Sequence, residues 1–208
     1  MKRLYGDLKI SWPKLILFSI IIGTYTGLVM LVPFLQGTSF QDIGISYEWW
    51  VIFAVIIVVN CKTNWEAMLK CFIFFFISQP IVYLVEIIFG TLSFELGWMY
   101  YRTWFPMIMM TLPGGFIAYY CKKQNIFGGI ILGIGNTIQA IMALSYFNQA
   151  INHFPYHLLT GIVSVGSIIL MTVFIQKENK NRLVAILTTI VLTVVAFVLV
   201  KATGRTIY

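Results

Sequence analysis

Charge is scarce in this chain. Asp, Glu, Lys and Arg make up 10% of its 208 residues, and 60% are hydrophobic. Soluble domains run nearer one quarter charged and half apolar. A water-soluble fold of this size could not hide so much apolar surface, so lipid must be the solvent. Acids are scarcer still, at seven. The net charge of +7 does not point to nucleic acid, because the basic residues sit in short clusters between apolar runs. That is the positive-inside pattern of membrane proteins. Alanine is missing before Ala54, so the basic, apolar N-terminus offers no A-x-A cleavage site and reads as a retained first span. Cysteine is limited to Cys61, Cys71 and Cys121, with no CxxC or metal-type spacing. All three fall on the predicted cytoplasmic side, where thiols stay reduced, so no disulfide is expected. No Ser/Gly-rich linker, low-complexity tract or internal repeat divides the chain.

What remains is a series of apolar runs. They predict an all-α polytopic transmembrane bundle of about seven spans in one domain covering residues 1–208. The spans lie near 14–35, 45–60, 67–89, 104–120, 126–147, 157–176 and 183–200. Span 1 carries Ser19, Gly23 and Gly27 at every fourth position, a stripe that lets another helix approach closely. Span 2 has a short apolar run, Trp49–Val59, preceded by a polar loop, Gln36–Glu48. The segment Gly90–Thr103 reads as a loop, with Pro106 in the first turn of span 4. Pro113-Gly114-Gly115 is expected to kink or break that span. Span 5 places Gly129, Gly133, Asn136, Ala140 and Ala143 on one face. Span 7 has no charge and is expected to face lipid.

Counting basic residues sets the orientation. With the N-terminus inside and the C-terminus outside, Lys2, Arg3, Lys9, Lys14, Lys62, Lys70, Lys122, Lys123, Lys177, Lys180 and Arg182 lie inside, 11 of the 14. Arg102, Lys201 and Arg205 lie outside. Without a crossing span 2 the split becomes 7 and 7, so the rule favours crossing. Trp12, Trp49, Trp50, Trp65, Trp98 and Trp104 all fall at predicted span ends, where amphipathic rings prefer the interface.

The stretch from Ala67 to Phe89 holds the least expected residues. Gln79, Tyr83 and Glu86 fall within one narrow arc at 100° per residue. A carboxylate so deep in an apolar run is costly and marks a candidate site. It serves either as a packing group that snorkels or pairs with Arg102, or as the anchor of a ligand or a proton. The outer side gathers Asp42, Glu48, Glu86 and Glu95, the single base Arg102, and both histidines, His153 and His157. An acidic mouth of this kind concentrates cations. Glu86 is expected to approach His157 or Arg102, with Gln79 and Tyr83 lining the same cavity.

The His153–His157 spacing of four resembles a zinc-binding pair only in distance. The intervening Phe-Pro-Tyr lacks the HExxH glutamate, and Pro155 interrupts the helix, so no metal site is assigned. Ser46 and Ser164 sit in no GxSxG context. The glycines at 128, 129, 133 and 135 follow no strand and read as helix packing rather than a dinucleotide fingerprint, so no cofactor is expected.

Three readings follow. The first is a transporter or membrane solute-binding subunit in the cell membrane, taking a small polar or cationic ligand at Glu86, Gln79, Tyr83, His157, Glu48, Arg102 and Asn136. Its size and outward site are similar in kind to the membrane substrate-binding subunits of vitamin importers, which generally have six spans. The second is an intramembrane enzyme acting on a lipid or lipid-linked substrate at the outer leaflet, with His157, Glu86 and Glu48 as acid–base groups. The third is a non-catalytic immunity or assembly factor that stabilises a partner membrane protein. The lipid bilayer is a partner in all three, and nucleic acid in none.

Overall fold

A computed structural model describes residues 5–45 and 47–202; the side chains of residues 43–47 fall outside the description. Lys2, Arg3, Ser46 and Arg205 lie outside the described residues. The described chain is helical throughout: α1 (Trp12–Met30), α2 (Ser39–Ile45), α3 (Tyr47–Val59), α4 (Asn64–Ile88), α5 (Phe94–Ala118), α6 (Ile126–Asn152), α7 (Leu158–Ile175) and α8 (Asn179–Ala202). Five of them, α1, α4, α6, α7 and α8, are long and apolar enough to cross a membrane.

One end of the bundle collects the basic segments. The Leu8 amide donates to Asn60 Oδ1 at 2.7 Å, and Tyr119 Oη donates to the Lys62 carbonyl at 2.6 Å. Gln124 Nε2 donates to the Ile175 carbonyl at 2.8 Å, and the Lys177 amide to Gln124 Oε1 at 2.7 Å. Four segments separated in sequence therefore meet there: the chain before α1, the α3–α4 turn, the α5–α6 turn and the α7–α8 turn. Lys122 donates to the Cys61 carbonyl and lies over the Tyr119 ring. Burial pushes its ammonium down from the usual lysine range. The three cysteines are free and buried. Burial pushes the Cys61 thiol up to about 11 and the Cys121 thiol up to about 12. Cys71 lies two turns into α4 rather than at the end, with Sγ 3.9 Å from the Ala54 carbonyl.

The core is built around α3. Trp50, Phe53, Ile57 and Val58 pack with Leu15 of α1 and Ala67, Cys71 and Phe74 of α4. Ile52 and Val59 pack on another face with Leu132, Met171, Ile175 and Ala185 of α6, α7 and α8. At 13 residues α3 spans roughly 20 Å, less than the ~30 Å of a bilayer core. Its sequence is apolar all round because protein covers it on opposite sides. This corrects the interfacial assignment of two tryptophans: Trp50 is core and Trp49 half-buried. Trp12, Trp65 and Trp98 do lie exposed near helix ends, while Trp104 sits midway along α5.

Two helix pairs flank α3, each closed by glycines. Gly23 and Gly27 of α1 rest on the α4 backbone at Ser78 and Val82, as the small-residue stripe predicts. Gly129 and Gly133 of α6 rest on the α8 backbone at Asn181 and Ala185. Thr189 Oγ1 of α8 reaches the Gly133 carbonyl at 3.2 Å. Most of the large apolar side chains of α8, from Leu183 to Leu199, are exposed.

Several sequence expectations are corrected. The segment expected as a loop from Gly90 to Thr103 is helical from Phe94. Ser93 caps α5 by accepting from the Leu96 amide at 3.3 Å, and Glu95 complements the helix dipole. Pro106 is therefore inside the helix, not in its first turn. Nor does Pro113-Gly114-Gly115 break α5, which continues to Ala118. Gly115 is needed for contact instead: an added Cβ would stand 3.1 Å from the Ala67 carbonyl and the Cys71 side chain. Finally, α6 runs five residues past the predicted end of span 5, and α2 occupies part of the expected polar loop.

Candidate functional site

The seven residues singled out in the sequence separate into two places and one outlier. Gln79, Tyr83 and Glu86 of α4 line one cleft of about 700 Å³. Its other walls are Trp50, Val51, Ala54, Val55 and Val58 of α3, Trp104, Met107, Thr111 and Gly114 of α5, and Ile131, Ile134, Gly135 and Ile138 of α6. The volume lies within the range of small-molecule sites. Helical spacing explains the common stripe: positions 79, 83 and 86 are four and three apart. The rim is apolar surface: Met107, Met110, Ile117, Ile134 and Ile138 are all exposed. The cleft thus opens sideways between α5 and α6, toward whatever apolar medium surrounds the bundle.

Polarity is graded along it. Along α4 the cleft runs from Cys71 to Glu86, roughly 22 Å at 1.5 Å per residue. Gln79, Tyr83 and Glu86 occupy the end remote from the basic turns. Below them the α4 lining is Cys71 and Phe75. Among the described residues Glu86 is the only charged one of the lining, and it is half-buried. It does not pair with Arg102 or His157 as expected. The ion pairs among the described residues are Lys70–Glu66 and His157–Asp42. Arg102 is exposed on α5 and lines neither the cleft nor the second polar group.

Glu48, Asn136 and His157 belong to that second group, a buried polar string between α2, α3, α6 and α7. His157 Nδ1 lies 2.8 Å from Asp42 Oδ2 and 3.0 Å from Oδ1. Asp42 is 2% exposed, and Thr160 Oγ1 donates to it at 2.5 Å. The Thr160 amide donates to Ser39 Oγ at 3.1 Å, and the Tyr146 ring stands 5.4 Å from the imidazole. Ser164 donates to the Thr160 carbonyl, and Ser167 donates to the Ser164 carbonyl and to Gln139 Oε1. Gln139 Nε2 donates to the Glu48 carbonyl at 2.8 Å, and Glu48 is itself 1% exposed. Asn136 Nδ2 donates to Thr172 Oγ1 at 3.0 Å, so this amide faces α7 rather than the cleft.

A carboxylate on Nδ1 fixes the imidazole tautomer and leaves Nε2 as the basic nitrogen. Such a base needs a substrate chamber. His157 and Asp42 line neither the cleft nor the smaller pocket of Phe147, Ala150, Ile151, Phe154 and Leu158. The pair ties α2 to the start of α7. His157 caps α7 in a left-handed backbone conformation, φ 59°, which costs a non-glycine residue about 1–2 kcal/mol. His153 closes α6, exposed, and does not share a helix face with His157.

The acidic mouth is therefore not assembled as expected. Asp42 and Glu48 are inside the wall, Glu95 is exposed on α5, and only Glu86 reaches the cleft. Sequence reasoning missed Asp42 as the partner of His157 and missed Gln139 altogether. The spacing of His157, Thr160, Ser164 and Ser167, at three, four and three, was the readable signal for the string. Gln139 follows Asn136 by three on the same face. Compared with protein-family models, curated proteins and solved structures, the chain matches none.

Proposed function

We propose that this chain is a multi-spanning protein of the cell membrane that takes a membrane-soluble small molecule into the cleft between α5 and α6, as a transporter or solute-binding subunit. The observation that carries this reading is the coincidence of the ~700 Å³ cleft with the stripe of Gln79, Tyr83 and Glu86. A filled core would have favoured a purely structural protein. The enzyme reading draws no such support from this cleft, which His157 does not line.

The test uses the cleft's own glycines. A Cβ added at Gly135 meets nothing within 4 Å, yet Gly135 lines the cleft. Gly135→Trp is expected to fill the cleft and leave helicity and thermal unfolding unchanged. Native mass spectrometry of the purified protein is expected to show a bound small molecule that this substitution removes. Retention of the same adduct in Gly135→Trp overturns the reading.

Seven crossings with the N-terminus inside belong to the same proposal. In support, the α3–α4, α5–α6 and α7–α8 turns share one end of the bundle, and that end carries Lys62, Lys122, Lys123, Lys177, Lys180 and Arg182. A reporter active only in the cytoplasm is expected to work when fused after Lys123 and to fail after Asn152. The reverse pattern sinks this topology.

A further inference from the structure

We infer that the occupant of the cleft is a long-chain amphiphile with an amine head group, its ammonium against Glu86 and its chain along α5 and α6; this rests on the cleft being a ligand site. The lining holds one carboxylate and no lysine or arginine. In a low-dielectric cleft a single sign of charge selects the opposite sign. A fatty acid or a bare phosphate monoester would meet Glu86 with like charge. Tyr83 and Gln79 lie one and two turns below it on α4, with oxygens able to accept from an N–H. Trp104 presents an aromatic ring in the same lining, a further partner for a cation.

The rest of the cleft offers little but apolar contact. From Phe75 and Cys71 on α4 to Ile108 and Ile117 on α5 and Ile131 and Ile134 on α6, the walls suit an alkyl chain. Gly114 and Gly135 lie on two different walls. Unlike Gly115, Gly129 and Gly133, neither would bring a Cβ within 4 Å of another atom. Helix packing therefore does not require glycine at these positions, and their smoothness widens the channel for a chain. The polar end of the cleft is the end of α4, and the apolar end, at Cys71, Ile117 and Ile131, lies toward the basic turns. An amphiphile lying in the cleft has the same head-to-tail direction as a lipid in the leaflet beside it.

The experiment uses the full chain in zwitterionic phospholipid nanodiscs with three photoreactive probes of one chain length: an alkylamine, an alkyl alcohol and an alkyl carboxylate. Labelling is read by peptide mass spectrometry on α5 and α6. The amine is expected to label about tenfold more than the carboxylate at equal mole fraction, the scale of one charge-assisted contact. Glu86→Gln is expected to bring the amine down to the alcohol's level. Gly135→Trp is expected to remove cleft labelling by all three. Equal labelling by the three probes, still blocked by Gly135→Trp, overturns the amine assignment and leaves the cleft as a site. Labelling that Gly135→Trp does not block overturns both.

Discussion

Replacing Gly133 by alanine should destabilise the bundle by about 1–3 kcal/mol, whereas the same change at Gly135 should be neutral or stabilising. The two glycines are separated by one residue of α6, so intrinsic helix preference is the same for both. Alanine gains roughly 0.5–1 kcal/mol over glycine in a helix interior. At Gly133 that gain is outweighed. The new Cβ would stand 2.6 Å from Thr188 Cβ and 2.7 Å from the Ala185 carbonyl oxygen. Neither is the end of a flexible side chain, so α8 must move away. The movement would also stretch the contact of Thr189 Oγ1 with the Gly133 carbonyl. Apolar helices in lipid gain little from hydrophobic burial against each other, so close backbone approach supplies much of their association. At Gly135 the added methyl enters the open cleft. Denaturant or thermal unfolding of the two variants in one detergent measures the difference. Equal losses at both positions would show that α6 and α8 do not pack as described.

That contrast shows where sequence reasoning was informative and where it stopped. Apolar runs marked each described helix longer than ten residues, though not the first ten residues of α5, because an apolar run of the right length has few alternatives in lipid. Periodicity also put Gln79, Tyr83 and Glu86 on one stripe, since three positions on one helix need only the helical angle. It put Gly133, and not Gly135, on the small-residue face of its span, but it could not say which helix stands opposite that face. Proline does not break α5. A helix surrounded by apolar neighbours has no better conformation available and continues through Pro106 and Pro113. Glu86 was given the wrong neighbours, because charge counting placed every outer acid in one mouth without regard to which helix faces which.

Removal of Asp42 should be the most damaging polar substitution. Asp42→Ala is expected to cost about 2–4 kcal/mol, below the range for fully buried pairs because the His157 side chain remains 18% exposed. Its partners His157 Nδ1, at 2.8 Å, and Thr160 Oγ1, at 2.5 Å, would lose their acceptor. The consequence reaches beyond the pair, because Asp42 sits on α2, which links α1 to the core helix α3, and both partners sit at the start of α7. Ser39 and Thr160 add one more tie between the same two segments, and Gly37 abuts the Tyr156 ring. His157→Ala should cost less, since the carboxylate keeps Thr160. The double variant should then cost less than the sum of the two singles, with a coupling of about 1–3 kcal/mol. Thermal unfolding of the four proteins gives that coupling directly. The pair was invisible in the sequence because 115 positions separate its members, Asp42 in a segment that reads as a loop and His157 at the start of a span. Additive losses, or an Asp42→Ala variant as stable as the parent, would remove the clasp from the account of this fold and free His157 for other chemistry.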